Sequence, residues 1–590
     1  MHITRRALNI GLFSTLPLVA GAANAASQSQ FDKEFAKLSA NWLDNYLRLS
    51  PVQATQIGDH RFDAQIDDLS AKGRAKQLAF NKSTLAKLGK INRTKLSRDN
   101  QVDYAILENS LKSNIFSFEE VKEWEWNPLY YHNVAGGAVY NLMAREFAPV
   151  KERAKNAQIR YEKIPQILEA MRAQIVPSKV PPSHAKTYAA QFAGITQTYN
   201  EMVLPHLETS ESVAQNAVDA VAAAVIAISF ADHKDWIENT LLPNAKGYFR
   251  VGANIFDKAL SFSLMSNLTR QDIKARALGE IKKVRAQMYE IAKTALNRND
   301  APINPTPEQE QSIIKNALDL AASERPKRNE LVETSTKMTE IARKFVQVKD
   351  LITLPDGPVK VILMPEFQRG YAVAYCDSPG PLDKNLATYY AVSPVPDDWT
   401  EAQSDSFLKE YNLRGIQDIA VHEAMPGHYV QLFHANSCKS ILRAVLSSGS
   451  FIEGWAVYAE RVMVEQGFKS DDPLYRLTQL KVYLRTITNA LIDQAIHCEG
   501  MNEEEMMKLL TQTAFQEESE ARGKWRRAQL SYTQLSTYFV GFLEHFETRE
   551  IYKAKQGASF NLKKYHDSVL SFGSPPMKYA RALLMGDKIL

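Results

Sequence analysis

Residues 412–433 read NLRGIQDIAVHEAMPGHYVQLF, and the way this stretch folds decides what the chain is built around. Ile416, Ile419 and Ala420 recur at helical spacing and run straight into His422-Glu423. In the familiar zinc helix H-E-x-x-H the histidines stand at i and i+4, about 40° apart on one face. Here the second histidine, His428, comes at i+6, about 240° round an unbroken helix and too far to share a metal with His422. Pro426 has no N–H and breaks the ladder towards the His422 carbonyl. Gly427 accepts dihedrals that other residues avoid. A bulge or a helix end at Met425–Gly427 therefore brings His428 back beside His422. The alternative is that His422 is a plain helix residue and His428 a loop residue beyond it; spacing alone leaves both open.

The next segment bears on that choice. Residues 451–460 read FIEGWAVYAE. A catalytic zinc takes three protein ligands and an open position for water. In thermolysin-like enzymes the third ligand is a glutamate on the following helix. His422, His428 and Glu453 would supply such a set for one Zn2+ per chain. Glu460 stands seven residues after Glu453, about 20° off eclipse, so both carboxylates face one way amid Trp455, Ala456 and Val457. Ser447–Ser450 provide a loop and cap ahead of that helix. An exposed acidic stripe is the competing reading, and the apolar setting speaks against it. The parts define a mechanism: zinc acidifies water, Glu423 accepts the proton as general base and passes it to the leaving amine, and a further donor stabilises the oxyanion. Glu460 suits orientation of a ligand histidine.

Working outward, the preceding pattern is strand-like. Val359–Met364, Tyr371–Tyr375 and Ala387–Val392 are short β-branched or aromatic runs separated by Gly and Pro, and read as a small sheet. Upstream the chain is helical. Phe31, Phe35, Leu38, Trp42, Tyr46 and Leu49 share one helical face until Pro51 stops it. Similar stretches cover roughly 97–115, 151–173, 185–203, 211–240, 270–297 and 307–346, interrupted by Pro-rich breaks at Val176–Ser183 and Asn299–Pro307. The fold class is thus mainly α with a small β-sheet, with a helical region over 26–346, a sheet region over 347–399 and a helical catalytic region over 400–590. Residues 26–590 are expected to make one large bilobal unit.

The amino terminus reads as a signal peptide over 1–25. A basic Met1–Arg6 precedes the apolar, small-residue run Ala7–Ala22, and Ala23-Asn24-Ala25 before Ala26 fits a signal-peptidase site. Thr4-Arg5-Arg6-Ala7-Leu8 resembles a twin-arginine export signal. The expected location is periplasmic or secreted. No cysteine follows the apolar run, which argues against a lipid anchor, and no later run is long enough for a transmembrane span. Loss of Arg5 and Arg6 lowers the formal charge from +4 to +2, which gives no electrostatic case for nucleic acid. Three cysteines, Cys376, Cys438 and Cys498, make no disulfide framework, and the chain has no Cys-x-x-Cys pair.

The string His422-Glu423-Ala424-Met425-Pro426-Gly427-His428-x-x-Gln431, followed by Glu453-Gly454-Trp455-Ala456-x-Tyr458-x-Glu460, resembles the bacterial family known as domain of unknown function 885. Pro51-x-x-Ala54-Thr55-x-x-Gly58, Arg485, Asp493-x-x-x-His497 and Gln534-x-x-x-Tyr538-x-x-Gly541 extend the likeness over nearly the whole chain. The family resembles zinc peptidases of the thermolysin and neurolysin type, which implies a helical, cleft-forming architecture and peptide-like substrates. The glutamate segment also looks like the Asn-Glu-Gly-Phe-Ala block of zinc aminopeptidases, which implies Glu453 rather than Glu460 as ligand. This chain departs at Tyr532-Thr533, where the family has Pro-Gly, and at Asn489, where it has Arg.

Further candidates follow from residue chemistry. Asp493 and His497, at i and i+4, share a helix face and either form a carboxylate–histidine unit for the oxyanion or substrate, or bridge helices. Tyr538 is a candidate oxyanion donor. Arg485 and Arg527 are candidates for a substrate carboxylate. His434 has no partner motif and reads as packing or surface. The function expected is an exported zinc-dependent hydrolase cleaving peptide bonds. The alternative is a non-catalytic helical protein whose cleft holds a ligand and whose metal site is structural or vestigial. Oligomeric state is not encoded in any pattern found.

Overall fold

The Phe31–Leu49 stripe forms a helix, Gln30–Leu49, capped by the Ser29 side chain and burying Phe35, Trp42 and Leu47. Pro51 ends it and also opens the next helix, Pro51–Ile57, at a position where its missing N–H costs nothing. The computed structural model describes residues 29–589 apart from 208–212, 366–368, 370–372 and 384. The signal segment expected over 1–25 lies outside the described residues.

The chain is mainly helical with one three-stranded sheet. Two long expected helices are each divided. The 151–173 stretch becomes Val150–Tyr161 and Ile164–Gln174, with Pro165 in the first turn of the second. The 307–346 stretch becomes Pro307–Ala321 and Leu331–Lys349, with Pro326 between them. Both breaks follow from proline: it cannot continue a helix but is well placed to start one. Among the described residues no helix is long and apolar enough to cross a membrane.

The sheet holds β1 (Lys360–Leu363), β2 (Ala374–Asp377) and β3 (Tyr389–Val392). β3 is central, parallel to β1 and antiparallel to β2. Among the described residues β2 is therefore an edge strand. Of the expected Tyr371–Tyr375 strand, Tyr371 and Ala372 lie outside the described residues.

One large apolar core runs from Phe256 to Ala580 and includes the strands and the helices that carry the motifs. A second gathers Tyr131, Leu168 and Tyr188 in the amino-terminal half, and a third joins Phe35, Trp42 and Leu107 to Leu442. Within the large core, helices Gly449–Glu465 and Gln534–Gln556 cross at glycine. A Cβ on Gly454 would lie 2.3 Å from the Gly541 carbonyl carbon, and one on Gly541 would lie 1.9 Å from the Ser450 oxygen. Only glycine permits this approach, which sets the faces of the two helices towards each other.

Candidate active site

Helix Leu413–Glu423 is capped by Asn412, whose side chain accepts from Arg414 N and Gly415 N, and it ends one residue after His422. Ala424 leaves helical geometry (φ −123°, ψ −73°), and the Met425–Pro426 peptide is cis. Gly427 N donates to Val421 O at 3.0 Å, folding the bend back on the helix it leaves. A Cβ at Gly427 would sit 1.8 Å from the His422 carbonyl oxygen, so only glycine fits. The Trp455 indole donates to the Pro426 carbonyl at 2.9 Å. A new helix, His428–Asn436, starts at the second histidine. The distortion expected at Met425–Gly427 is the device that turns His428 back.

The two imidazoles meet at right angles (89°) with ring centroids 4.8 Å apart. His422 Nδ1 lies 2.6 Å from Glu460 Oε1, which leaves Nε2 facing Glu453. Glu453 Oε2 is 3.8 Å from His422 Nε2 and 3.5 Å from His428 Nε2. One donor atom from each of the three residues lies within 4.8 Å of the others. Tetrahedral zinc with bonds of about 2.1 Å holds its ligand atoms about 3.4 Å apart. The spacing here is too long for good hydrogen bonds and close to what an ion between the groups would need. Glu453 Oε2 and His428 Nδ1 are buried without a hydrogen-bond partner among the described residues. Burial pushes the Glu453 carboxyl up, but the two imidazoles outweigh it and hold the group well below the usual range.

These groups open on a cleft of about 1460 Å³. His422, Glu423, His428 and Glu453 line it together with β2, Arg485, Arg527 and Tyr538. Glu423 Oε2 is buried without a hydrogen-bond partner among the described residues, next in sequence to His422 yet not part of the candidate ligand set. Tyr538 accepts hydrogen bonds from Arg527 Nη2 and Gln534 Nε2, both at 3.3 Å, so its own O–H remains available to donate. Burial, with the Glu453 charge nearby, raises its phenol above the ordinary value and keeps it protonated. Arg485 also faces the cleft but is held by Glu520 (3.4 Å) and Tyr411.

Of the two readings of Asp493 and His497, the contacts fit the bridge between helices and not the carboxylate–histidine unit. Asp493 accepts from Thr533 N, Ser536 N and Ser536 Oγ at 2.9, 2.9 and 2.7 Å, capping the helix that carries Tyr538. His497 Nε2 is 2.9 Å from Ala528 O and 3.2 Å from Ser531 O, tying down the turn before that helix. It is not among the cleft-lining residues, so the catalytic role expected of it is replaced by a structural one. His434 Nε2 bonds Thr353 O at the surface.

Some site residues escaped sequence reasoning. Gln534, which the sequence marks only as part of a motif, holds Tyr538. Asp418 lines the cleft and accepts from the Tyr475 hydroxyl at 3.1 Å; its place four residues before His422 was the available signal. Lys524 sits beside Glu520, its amine driven down by burial to about 7.

The model of the DUF885 family, described as "Bacterial protein of unknown function", matches residues 51–584. The chain belongs to this family. A DUF885 chain with this fold is similar to a solved "putative lipoprotein of unknown function" from Shewanella oneidensis, at 32% identity and a TM-score of 0.79, over 93% of this chain and 99% of that one. It is also similar in fold to a "putative lipoprotein" from Colwellia psychrerythraea, at 16% identity and a TM-score of 0.76, over 95% of this chain and 99% of that one. No curated protein matches it.

Proposed function

We propose that this DUF885 protein is an exported metal-dependent hydrolase that cleaves amide bonds in peptide-like substrates, in the manner of the thermolysin and neurolysin type. The observation that carries the reading is the convergence of His422, His428 and Glu453 on one point, with Glu423 beside them in a cleft. Two imidazoles and a carboxylate suit Zn2+, which when bound there supplies Lewis-acid polarisation of a carbonyl and acidifies water.

The chain's own residues account for the remaining chemistry. Glu460 fixes the His422 ring through Nδ1, which leaves Nε2 as the nitrogen that would hold the metal. Glu423 accepts a proton from the attacking water as its oxygen bonds to the carbonyl carbon. Tyr538 donates its hydroxyl to the oxygen of the tetrahedral species. Glu423 then returns the proton to the nitrogen as the C–N bond breaks. A binding protein with a structural ion would have no use for Glu423 in that position.

Edge strand β2 favours an extended peptide. Its pairing with β3 leaves the main-chain groups of Ala374 and Cys376 directed away from β3, at the margin of the cleft. A peptide laid alongside would add a strand there. The neighbours described as lipoproteins agree with an exported setting. The test is a peptide library incubated with the protein and with its Glu423→Gln variant. Chelator-sensitive cleavage lost in the variant is expected; cleavage by neither, with zinc supplied, would overturn the reading.

A further inference from the structure

Arg527 differs from the other arginine expected to meet substrate. Arg485 is satisfied by Glu520. Arg527 bonds only neutral groups, and both bonds leave from Nη2: to Gln534 Oε1 at 2.9 Å and to Tyr538 Oη at 3.3 Å. Its Nη1 and Nε meet no acceptor among the described residues. A guanidinium that is partly withdrawn from water pairs with an anion or loses much of its solvation without return. Three of its five N–H donors are therefore left without a bond among the described residues, and the Glu453 carboxylate acts on the guanidinium only through its charge, with no ion pair between them.

Its position says where that partner comes from. Arg527, Gln534 and Tyr375 line the cleft and also a second chamber of about 1240 Å³ that opens between the amino-terminal helices and the 529–534 turn. Arg527 thus stands at the neck between the two spaces, bonded to the tyrosine that lies within the field of Glu453. Because Arg527 bonds the Tyr538 hydroxyl at 3.3 Å, a carboxylate held by its free N–H groups lies beside the group assigned to the oxyanion.

We infer that Arg527 is the receptor for a carboxylate of the substrate, and that the substrates are anionic peptides whose charge falls next to the scissile amide. The inference rests on the hydrolase reading for the meaning of "scissile" but not for the binding itself. Two sources share the chemistry: a terminal α-carboxylate, and the side chain of an internal acidic residue, for which the second chamber leaves room for the chain to continue.

The test uses the full chain with Glu423→Gln, so that binding is read without turnover, and three probes: N-acetyl-trialanine as the free acid, the same peptide as its amide, and N-acetyl-Ala-Glu-Ala-amide. Calorimetric affinities are compared with those of the same protein also carrying Arg527→Gln or Arg527→Lys. The expected result is that at least one acidic probe binds 10-fold or more tighter than the neutral amide, that Arg527→Gln brings the ratio to about 1, and that Arg527→Lys keeps part of it. Preference for the free acid alone assigns the terminal source; preference for the Glu peptide assigns the side chain. Equal binding of all three, a preference unchanged in Arg527→Gln, or no binding of any probe would overturn the inference. Loss of affinity for all three by the same factor would mean that Arg527 only holds Tyr538, and would overturn it too. Peptide cleavage without acid preference leaves the hydrolase reading standing and this one fallen; acid preference without cleavage does the reverse.

Discussion

The indole N–H of Trp455 donates to the carbonyl of Pro426 at 2.9 Å, so the helix that carries Glu453 also holds the bend that separates the two histidines. Both partners are buried, Trp455 to 1% exposure, and the bend has no water to fall back on. Three candidate ligands from three helices are thus registered by one side-chain hydrogen bond and one glycine.

Trp455→Phe keeps most of the packing and removes that bond. Leaving a buried carbonyl unpaired costs about 1–3 kcal/mol. Chemical denaturation should show a loss of this size, with a fall in metal affinity of about 10-fold as the bend loosens. Unchanged affinity in a well-folded variant would mean the bend is held by other contacts.

Gly427→Ala should be harsher. The added Cβ would lie 1.8 Å from the His422 oxygen and 2.4 Å from the Val421 oxygen, both main-chain atoms. The bend must open, and His428 moves with it. Elemental analysis of the refolded variant should find metal largely gone even if circular dichroism shows the helices intact.

Tyr538→Phe removes the hydroxyl but leaves the ring in its packing. If the O–H stabilises the oxyanion, kcat should drop by about 10²-fold with KM little changed. A change confined to KM would assign the tyrosine to substrate binding instead.

His60 gives a pH dependence away from the site. Its Nδ1 is 3.0 Å from Asp63 and its Nε2 3.1 Å from Asp383, joining the amino-terminal helices to the loop after β2. Burial lowers its pKa, but the two carboxylates outweigh this and raise it to about 9. A histidine raised above its unfolded value of about 6.5 stabilises fully below that pH, and the contribution fades as pH rises through about 9. The stability gap between the native protein and His60→Gln should shrink between pH 7 and 10. A constant gap would show that the ion pairs contribute nothing.

Much of this was legible from local pattern. The His-Glu helix and the break at Pro426-Gly427 follow from spacing and from the special backbone chemistry of two residues, and the three short strands from β-branched or aromatic runs, whereas the choice of Glu453 is what the resemblance to zinc peptidases implies. What was hidden depends on partners distant in sequence. Asp493 and His497 do share a helix face, as their spacing says, but the face looks onto the main chain of residues 528–536 rather than the cleft. Likewise Arg485 and Arg527 look alike in sequence; only the fold reveals that Glu520 pairs with one, while the other bonds the neutral Gln534 and Tyr538. The helices expected over 151–173 and 307–346 were overextended because apolar periodicity continues across a break that proline imposes.

The central claim is that His422, His428 and Glu453 hold a catalytic divalent metal. Metal content per chain, by elemental analysis of the purified protein, tests it most directly, alongside His422→Ala and Glu423→Gln. About one zinc per chain is expected in the native protein and in Glu423→Gln, and its loss in His422→Ala. No zinc retained by the native protein after exposure to the metal, or equal retention in His422→Ala, would contradict it.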